Sequence, residues 1–185
     1  MPRVELLTKK EQLPPEQHHE YDEIMGVLNN VGGPFGLLLY SPGLAEMVCK
    51  TGAHIRLKSE LTMVERELAL LSTLREKDAS FEWGGHVRTA REAGMRDEAI
   101  DAIKNDKDAS GLEPDERDVI TFTRQLLRKN KVDQEVFDSL QSRHGTRWVL
   151  EIAATIGQYQ YISAVNNAFG MEPREGAESL PPIAR

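Results

Sequence analysis

Cysteine is nearly absent: Cys49 is the single one in 185 residues. One thiol excludes an internal disulfide, any mechanism that needs two thiols in one chain, and a zinc site built from several cysteines. Long apolar runs are missing too. No stretch reaches about 18 consecutive apolar residues, the length expected of a spanning helix. The start, Met1-Pro2-Arg3-Val4-Glu5, lacks the apolar stretch of a signal peptide. The resulting expectation is a cytoplasmic protein with no membrane partner. Basic clusters are lacking as well. With 23 Lys and Arg against 30 Asp and Glu, the net charge is −7, and no cationic run could track a phosphate backbone. That speaks against a nucleic-acid partner. An acidic protein can still take an anionic small-molecule substrate where a local pocket is basic. The sequence has no P-loop, no GxGxxG and no GxSxG, and no segment alternates as a strand would.

Helix signals are plentiful. Hydrophobic residues make up 39% and charged residues 29%, which at this length suits one domain with a substantial core. Residues 1–15 read as a loose arm ending at Pro14-Pro15. A first helix is expected from about 16 to 30 and is broken by Gly32-Gly33-Pro34-Phe35-Gly36. Ser41-Pro42, a cap followed by proline at the first helical position, opens a second over 42–56. Thr62 and Glu65 form a capping box for a third, which carries Val64, Leu68 and Leu71 at helical spacing.

Another helix is expected from about 80 to 93, stopping at Gly94, and a short one over 97–105. Glu113-Pro114 opens the next, Asp133 caps another, and Thr146 caps the last, which ends near Gly170. Residues 171–185, with three prolines, read as an extended tail, disordered or lying over a neighbouring subunit. The expected fold is an all-α, single-domain bundle of seven or eight helices spanning 1–185, with its core over about 30–170. A faint internal echo pairs Glu65-Arg66-Glu67-Leu68 with Glu116-Arg117-Asp118-Val119, as an old duplication would leave.

Three residues stand out as chemistry. Glu67 has Met63, Val64, Leu70 and Leu71 one turn away on either side, so its carboxylate sits in an apolar stripe. An unpaired charge there is costly. Either it has a partner, or it holds its proton in the way a general acid or base near neutrality requires. Glu82 and His86 are four apart on the following helix and share a face, where the carboxylate can orient the imidazole. Trp83 and Gly84-Gly85 are costly choices for an exposed helix interior, since each glycine loses about 1 kcal/mol against alanine. They point to close approach by a backbone or a ligand. Arg88 and Arg91 could supply a carboxylate fork. Tyr159 and Tyr161, with Asn166 and Asn167, could line a pocket from the last helix.

The remaining candidates are weaker. His18 and His19 point to different helix faces, and His54 and His144 lack partners at helical spacing. No metal site is expected. Cys49, among Met47, Val48 and Lys50, reads as core packing.

Leu61-Thr62-Met63-Val64-Glu65-Arg66-Glu67-Leu68-Ala69, and Phe81-Glu82-Trp83-Gly84-Gly85-His86-Val87-Arg88-Thr89-Ala90 followed by Ala93-Gly94 and Ile100, are similar to the signatures of the carboxymuconolactone decarboxylase family. Its fold is shared with alkylhydroperoxidase D. The resemblance covers about 30–170 and implies an all-helical protomer assembled into trimers or hexamers. Alkylhydroperoxidase D members carry a glutamate, eleven residues, Cys-x-x-Cys, three residues and a histidine. Glu67 and His86 match the two ends, while Ala79 and Glu82 stand at the cysteine positions. A thiol peroxidase needs one thiolate to attack and a second to resolve, and neither is there.

What the resemblance implies is a cofactor-independent lyase of the 4-carboxymuconolactone decarboxylase type, acting on a small carboxylated lactone or a related aromatic-catabolism intermediate. His86, Glu82 and Glu67 are then its catalytic residues, and Arg88, Trp83 and Tyr159 bind the substrate. Two alternatives stay open: a peroxidase or reductase using Cys49 with an external thiol, and a non-catalytic oligomeric binding protein.

Overall fold

The computed structural model describes residues 2–182. Met1 and residues 183–185, the outermost parts of the expected arm and tail, lie outside the described residues. Among the described residues, nine α-helices follow two short 3-10 turns and there is no strand. The helices are α1 (His18–Leu28), α2 (Pro34–Leu38), α3 (Pro42–Leu57), α4 (Met63–Glu76), α5 (Ser80–Glu92), α6 (Asp97–Lys104), α7 (Pro114–Lys129), α8 (Gln134–His144) and α9 (Thr146–Ala168).

α4 is the central helix. Every residue from Arg66 to Arg75 is buried, because the helix packs against α5, α6, α7 and α9 at once. Leu68, Ala69, Leu70, Leu71 and Leu74 supply its apolar surface, and Arg66, Glu67, Ser72, Thr73 and Arg75 are carried into the interior with them. Its start is fixed by the expected capping box: Thr62 Oγ1 accepts from Glu65 N at 3.2 Å, and Glu65 Oε2 accepts from Thr62 N at 2.6 Å. Two apolar clusters share α9. One gathers α4 to α8 around Trp83, Leu68 and Ile152. The other gathers α1, α2 and α3 around Ile24, Leu39 and Cys49, with Ile162 of α9.

Two boundaries differ from expectation. The Gly32–Gly36 break also contains the start of α2, since Pro34 fixes φ for a first helical turn. Thr146 is the first residue of α9 rather than its cap. Gly145 takes the cap with φ 86°, the only residue between α8 and α9, where a side chain would be strained. The N-terminal arm is tied down over its described part: Arg3 N donates to Phe169 O at 2.8 Å, Leu7 N to Gly36 O at 2.9 Å, and Tyr40 Oη to Glu5 O at 3.0 Å.

The tail folds back over its own chain. Arg75 Nη1 donates to Pro181 O at 2.5 Å, and Leu180 packs against the larger core cluster. The internal echo has a physical counterpart. Asp118 on α7, like Glu67 on α4, is a buried carboxylate turned to the next helix, where Ser139 and Arg143 of α8 donate to it at 2.9 and 2.7 Å.

Candidate active site

Glu67 sits on α4 where the helix is covered on all sides, and its side chain is 2% exposed. A carboxylate buried that deeply requires partners. Two are supplied. His86 Nδ1, on α5, lies 2.8 Å from Glu67 Oε2, and Arg66 Nε lies 3.6 Å from Oε1. Arg66 is itself buried and gives Nη1 to Arg56 O at 3.3 Å, at the end of α3. An ionised carboxylate only accepts, so Nδ1 carries the proton in this contact. The ring is thereby fixed, with Nε2 turned the other way.

Nε2 faces Glu82. The distance to Glu82 Oε2 is 3.9 Å, an ion-pair separation rather than a hydrogen bond. Glu82 is held from its other oxygen: Asn166 Nδ2, on α9, donates to Oε1 at 3.1 Å. Asn166 is fully buried, and its Oδ1 has no partner among the described residues. Tyr159, two turns earlier on α9, meets the His86 ring edge to face, with centroids 5.3 Å apart and planes at 85°. Its phenol is pushed above the ordinary tyrosine range, first by burial and then by the negative charges of Glu67 and Glu82.

The structure therefore brings Glu67, Glu82, His86 and Tyr159 together from three helices. Trp83 and Arg88 are placed elsewhere. Trp83 is fully buried in the larger core, since it lies on the face of α5 that meets α4. Arg88, two residues and about 200° round the helix from His86, is 77% exposed and stands 3.9 Å from Glu92.

A cleft of about 690 Å³ runs along that outer side of α5. It is walled by the Gly32–Pro34 turn, by Phe81, Glu82 and Arg88, and by residues 174–178 of the tail. It reaches Glu82 but not His86 or Glu67, so Glu82 is the residue common to the cleft and the buried cluster.

Of the other polar residues on α9, Asn166 joins the site. Tyr161 packs in the second core, and Asn167 gives its Nδ2 to Lys77 O at 2.8 Å. Arg66 was not singled out from the sequence. It adjoins Glu67, and neighbours on a helix point about 100° apart, so only its burial reveals the contact. His144 has a carboxylate partner after all, Asp115 at 3.0 Å, but on α7 rather than at helical spacing. Cys49 is 1% exposed in the second core, and burial pushes its thiol up from the ordinary range. Among the described residues no three His, Cys, Asp or Glu side chains are grouped to hold a metal ion, and no helix is long and apolar enough to cross a membrane.

Residues 42–125 match the Carboxymuconolactone decarboxylase family. No curated protein sequence matches the chain. Among solved structures, the alkylhydroperoxidase AhpD core of an uncharacterized peroxidase-related protein from Ralstonia eutropha JMP134 superposes with a TM-score of 0.75 at 19% identity, covering 94% of this chain and 93% of that one. The debrominase Bmp8 superposes with a TM-score of 0.70 at 17% identity, over 93% and 92% of the two chains. An uncharacterized peroxidase-related protein from Silicibacter sp. TM1040 gives 0.71 at 16% identity, over 95% of each. At these identities the likeness is one of fold: the chain has an all-α, AhpD-like fold.

Proposed function

We propose that the chain is a cofactor-independent acid/base lyase that decarboxylates a small carboxylated lactone or a related ring-cleavage product, a reading supported by the match of residues 42–125 to the carboxymuconolactone decarboxylase family. The observation that carries this reading is the contact between buried Glu67 and His86 Nδ1, which presents Nε2 toward Glu82. In the reaction, the bond between a ring carbon and the carboxylate breaks and CO₂ leaves. The electron pair is taken up by the conjugated lactone, and one proton is delivered to carbon. The protonated imidazole of His86 gives that proton from Nε2. Glu67 holds the ring in register, and Glu82 lies beside the donor nitrogen and lines the cleft from which substrate arrives. Tyr159 walls the imidazole, and Trp83 supports the helix from behind. Arg88, on the cleft wall, is the carboxylate binder.

The thiol alternative has weaker support, because the Cys49 thiol is buried in the second core cluster, to which His86 does not belong. A non-catalytic binding protein remains the second reading and predicts ligand uptake without turnover. A homo-oligomer, trimer or hexamer, belongs to the proposal. Leu44 and Met47, one turn apart on α3, are 38% and 60% exposed, and Leu57 at its end is 75% exposed, as a covered assembly face would leave them in a lone protomer. A cytoplasmic setting is part of the same reading.

The test is decarboxylation of 4-carboxymuconolactone by the purified protein and by His86→Ala. Loss of a proton donor lowers turnover by about 10²-fold or more, with the far-ultraviolet helical signal intact. Unchanged turnover removes the proposal. Binding of the lactone by the wild type without CO₂ release transfers it to the second reading.

A further inference from the structure

The tail does more than end the chain. After Gly170 it returns along α5, makes a turn in which Ala177 N donates to Arg174 O at 3.0 Å, and crosses Gly84. A Cβ at Gly84 would stand 2.9 Å from Ala177 Cβ, 3.0 Å from Glu178 N and 3.1 Å from Glu178 O. The backbone of the tail thus lies directly on the helix, and only glycine permits it. Its neighbour Gly85 meets nothing within 4 Å.

One side chain holds the arch down. Glu178 Oε2 accepts from Arg91 Nη1 at 2.6 Å, and Oε1 accepts from Lys104 Nζ at 3.0 Å. Both oxygens of one carboxylate are therefore used by two cations on two helices, α5 and α6. Residues 174–177 around it are exposed. Beyond it the chain is anchored separately, by Leu180 in the core and by Pro181 O on buried Arg75. The arch is fixed at its far end and held in its middle by the ionic clamp of Glu178.

The clamp borders the cleft. Arg88, Arg91 and Arg174 line it against Glu82, Glu175 and Glu178. Arg91 Nε also donates to Asp97 at 2.9 Å, so Glu178 is the second carboxylate of Arg91 and leaves it singly paired when unseated. Phe81 gives the same cleft an aromatic wall. Its volume is in the range of small-molecule sites. Exposed ion pairs are individually weak, so a second carboxylate of suitable shape can compete with the first.

We propose that Arg91 and Lys104 form a binding site for a ring-bearing organic carboxylate, occupied in this structure by the chain's own Glu178, and that such a ligand enters by displacing Glu178 and lifting residues 174–178. Gly176, with φ 75°, is the turn residue about which the arch opens. The lifted arch leaves Arg88, Arg91 and Lys104 facing the ligand beside Glu82, while Arg174 moves with the arch. The inference takes from the proposed function only the class of ligand. It concerns binding and not the proton donor.

The experiment uses the full chain with phthalate as probe, an aromatic ring bearing carboxylates, and phthalamide as its uncharged counterpart. Hydrogen exchange is followed in the peptide covering 171–182, and binding by calorimetry. Phthalate is expected to raise exchange of that peptide several-fold, and phthalamide to leave it unchanged. Glu178→Gln is expected to exchange fast without ligand and to bind phthalate several-fold more tightly, because the internal competitor is gone. The inference is overturned if phthalate leaves exchange of 171–182 as it was, or if Glu178→Gln binds phthalate no better than the wild type. Neither readout involves turnover, so failure of the lyase reading leaves this test standing, and failure here leaves that reading standing.

Discussion

Glu67 Oε2 and His86 Nδ1 lie 2.8 Å apart across the α4–α5 interface, with the carboxylate 2% exposed and the imidazole 21%. Together with Arg66, 3.6 Å away, they form a buried charged group whose members depend on one another. Removing one partner of a buried pair costs about 3–5 kcal/mol, because the other is left uncompensated. Glu67→Ala is therefore expected to lose about that much stability, or roughly 2–4 °C of melting temperature per kcal/mol for a chain of this size. Glu67→Gln keeps the shape and one acceptor, and should lose about 1–3 kcal/mol. A thermal scan in which Glu67→Ala melts with the wild type would show that Arg66 and His86 do not rely on it.

Gly84 and Gly85 are adjacent on α5, and they separate helix propensity from tertiary contact. At Gly85 a methyl group enters open space, so Gly85→Ala should stabilise by about 0.5–1 kcal/mol. At Gly84 the same methyl meets Ala177 Cβ at 2.9 Å and the Glu178 backbone at 3.0 and 3.1 Å. There the propensity gain is offset by displacement of the tail. Urea melts should rank Gly85→Ala above the wild type and Gly84→Ala no higher than it. Equal gains in both variants would mean that the tail is not seated on α5.

That pair also shows where sequence reading stopped. Two glycines inside a helix pointed to close approach, but not to what approaches, because the partner lies some ninety residues away in a segment with no periodicity. α4, the apolar setting of Glu67 and the Glu82–His86 pair were legible because helical spacing is a local property, while the grouping of the three as one site came from the family resemblance. The capping box at Thr62 marked the start of α4, and the apolar stripe marked the burial of Glu67. The Asn166–Glu82 and Arg75–Pro181 contacts were not legible, since each joins residues whose separation no local pattern encodes. Arg88 was grouped with His86 by proximity in sequence, and the turn of the helix sends it to another face, while Trp83, one turn before His86, is buried in the larger core.

Tyr159 makes the site sensitive to alkali. Its phenol is held above the ordinary tyrosine range, first by burial and then by the charges of Glu67 and Glu82. A group whose folded value is raised keeps its contribution below the unfolded value and loses it as pH rises through the folded one. The wild type should therefore weaken only above pH 10 from this source, with one of its four tyrosines ionising last by ultraviolet titration. Tyr159→Phe should lack that late step and unfold at higher pH than the wild type. Four tyrosines titrating together in the folded protein would contradict the environment described for Tyr159.

Cys49 separates the acid/base reading from a thiol reading. A thiol reacts as its thiolate, and burial in apolar surroundings suppresses both ionisation and access. Cys49 is 1% exposed beside Ile24, Leu39 and Ile162, and burial raises its thiol. Ellman's reagent should thus label the folded protein far more slowly than the unfolded one. Cys49→Ala leaves a void of about one sulfur atom, a loss of about 1 kcal/mol, and should leave lactone turnover unchanged. Any hydroperoxide consumption by the wild type should likewise persist in Cys49→Ala, since neither nearby position of the Glu67–His86 relay, Ala79 or Glu82, carries a thiol. Rapid labelling of the native protein, together with peroxide consumption abolished in Cys49→Ala, would move the chemistry from the imidazole to the thiol.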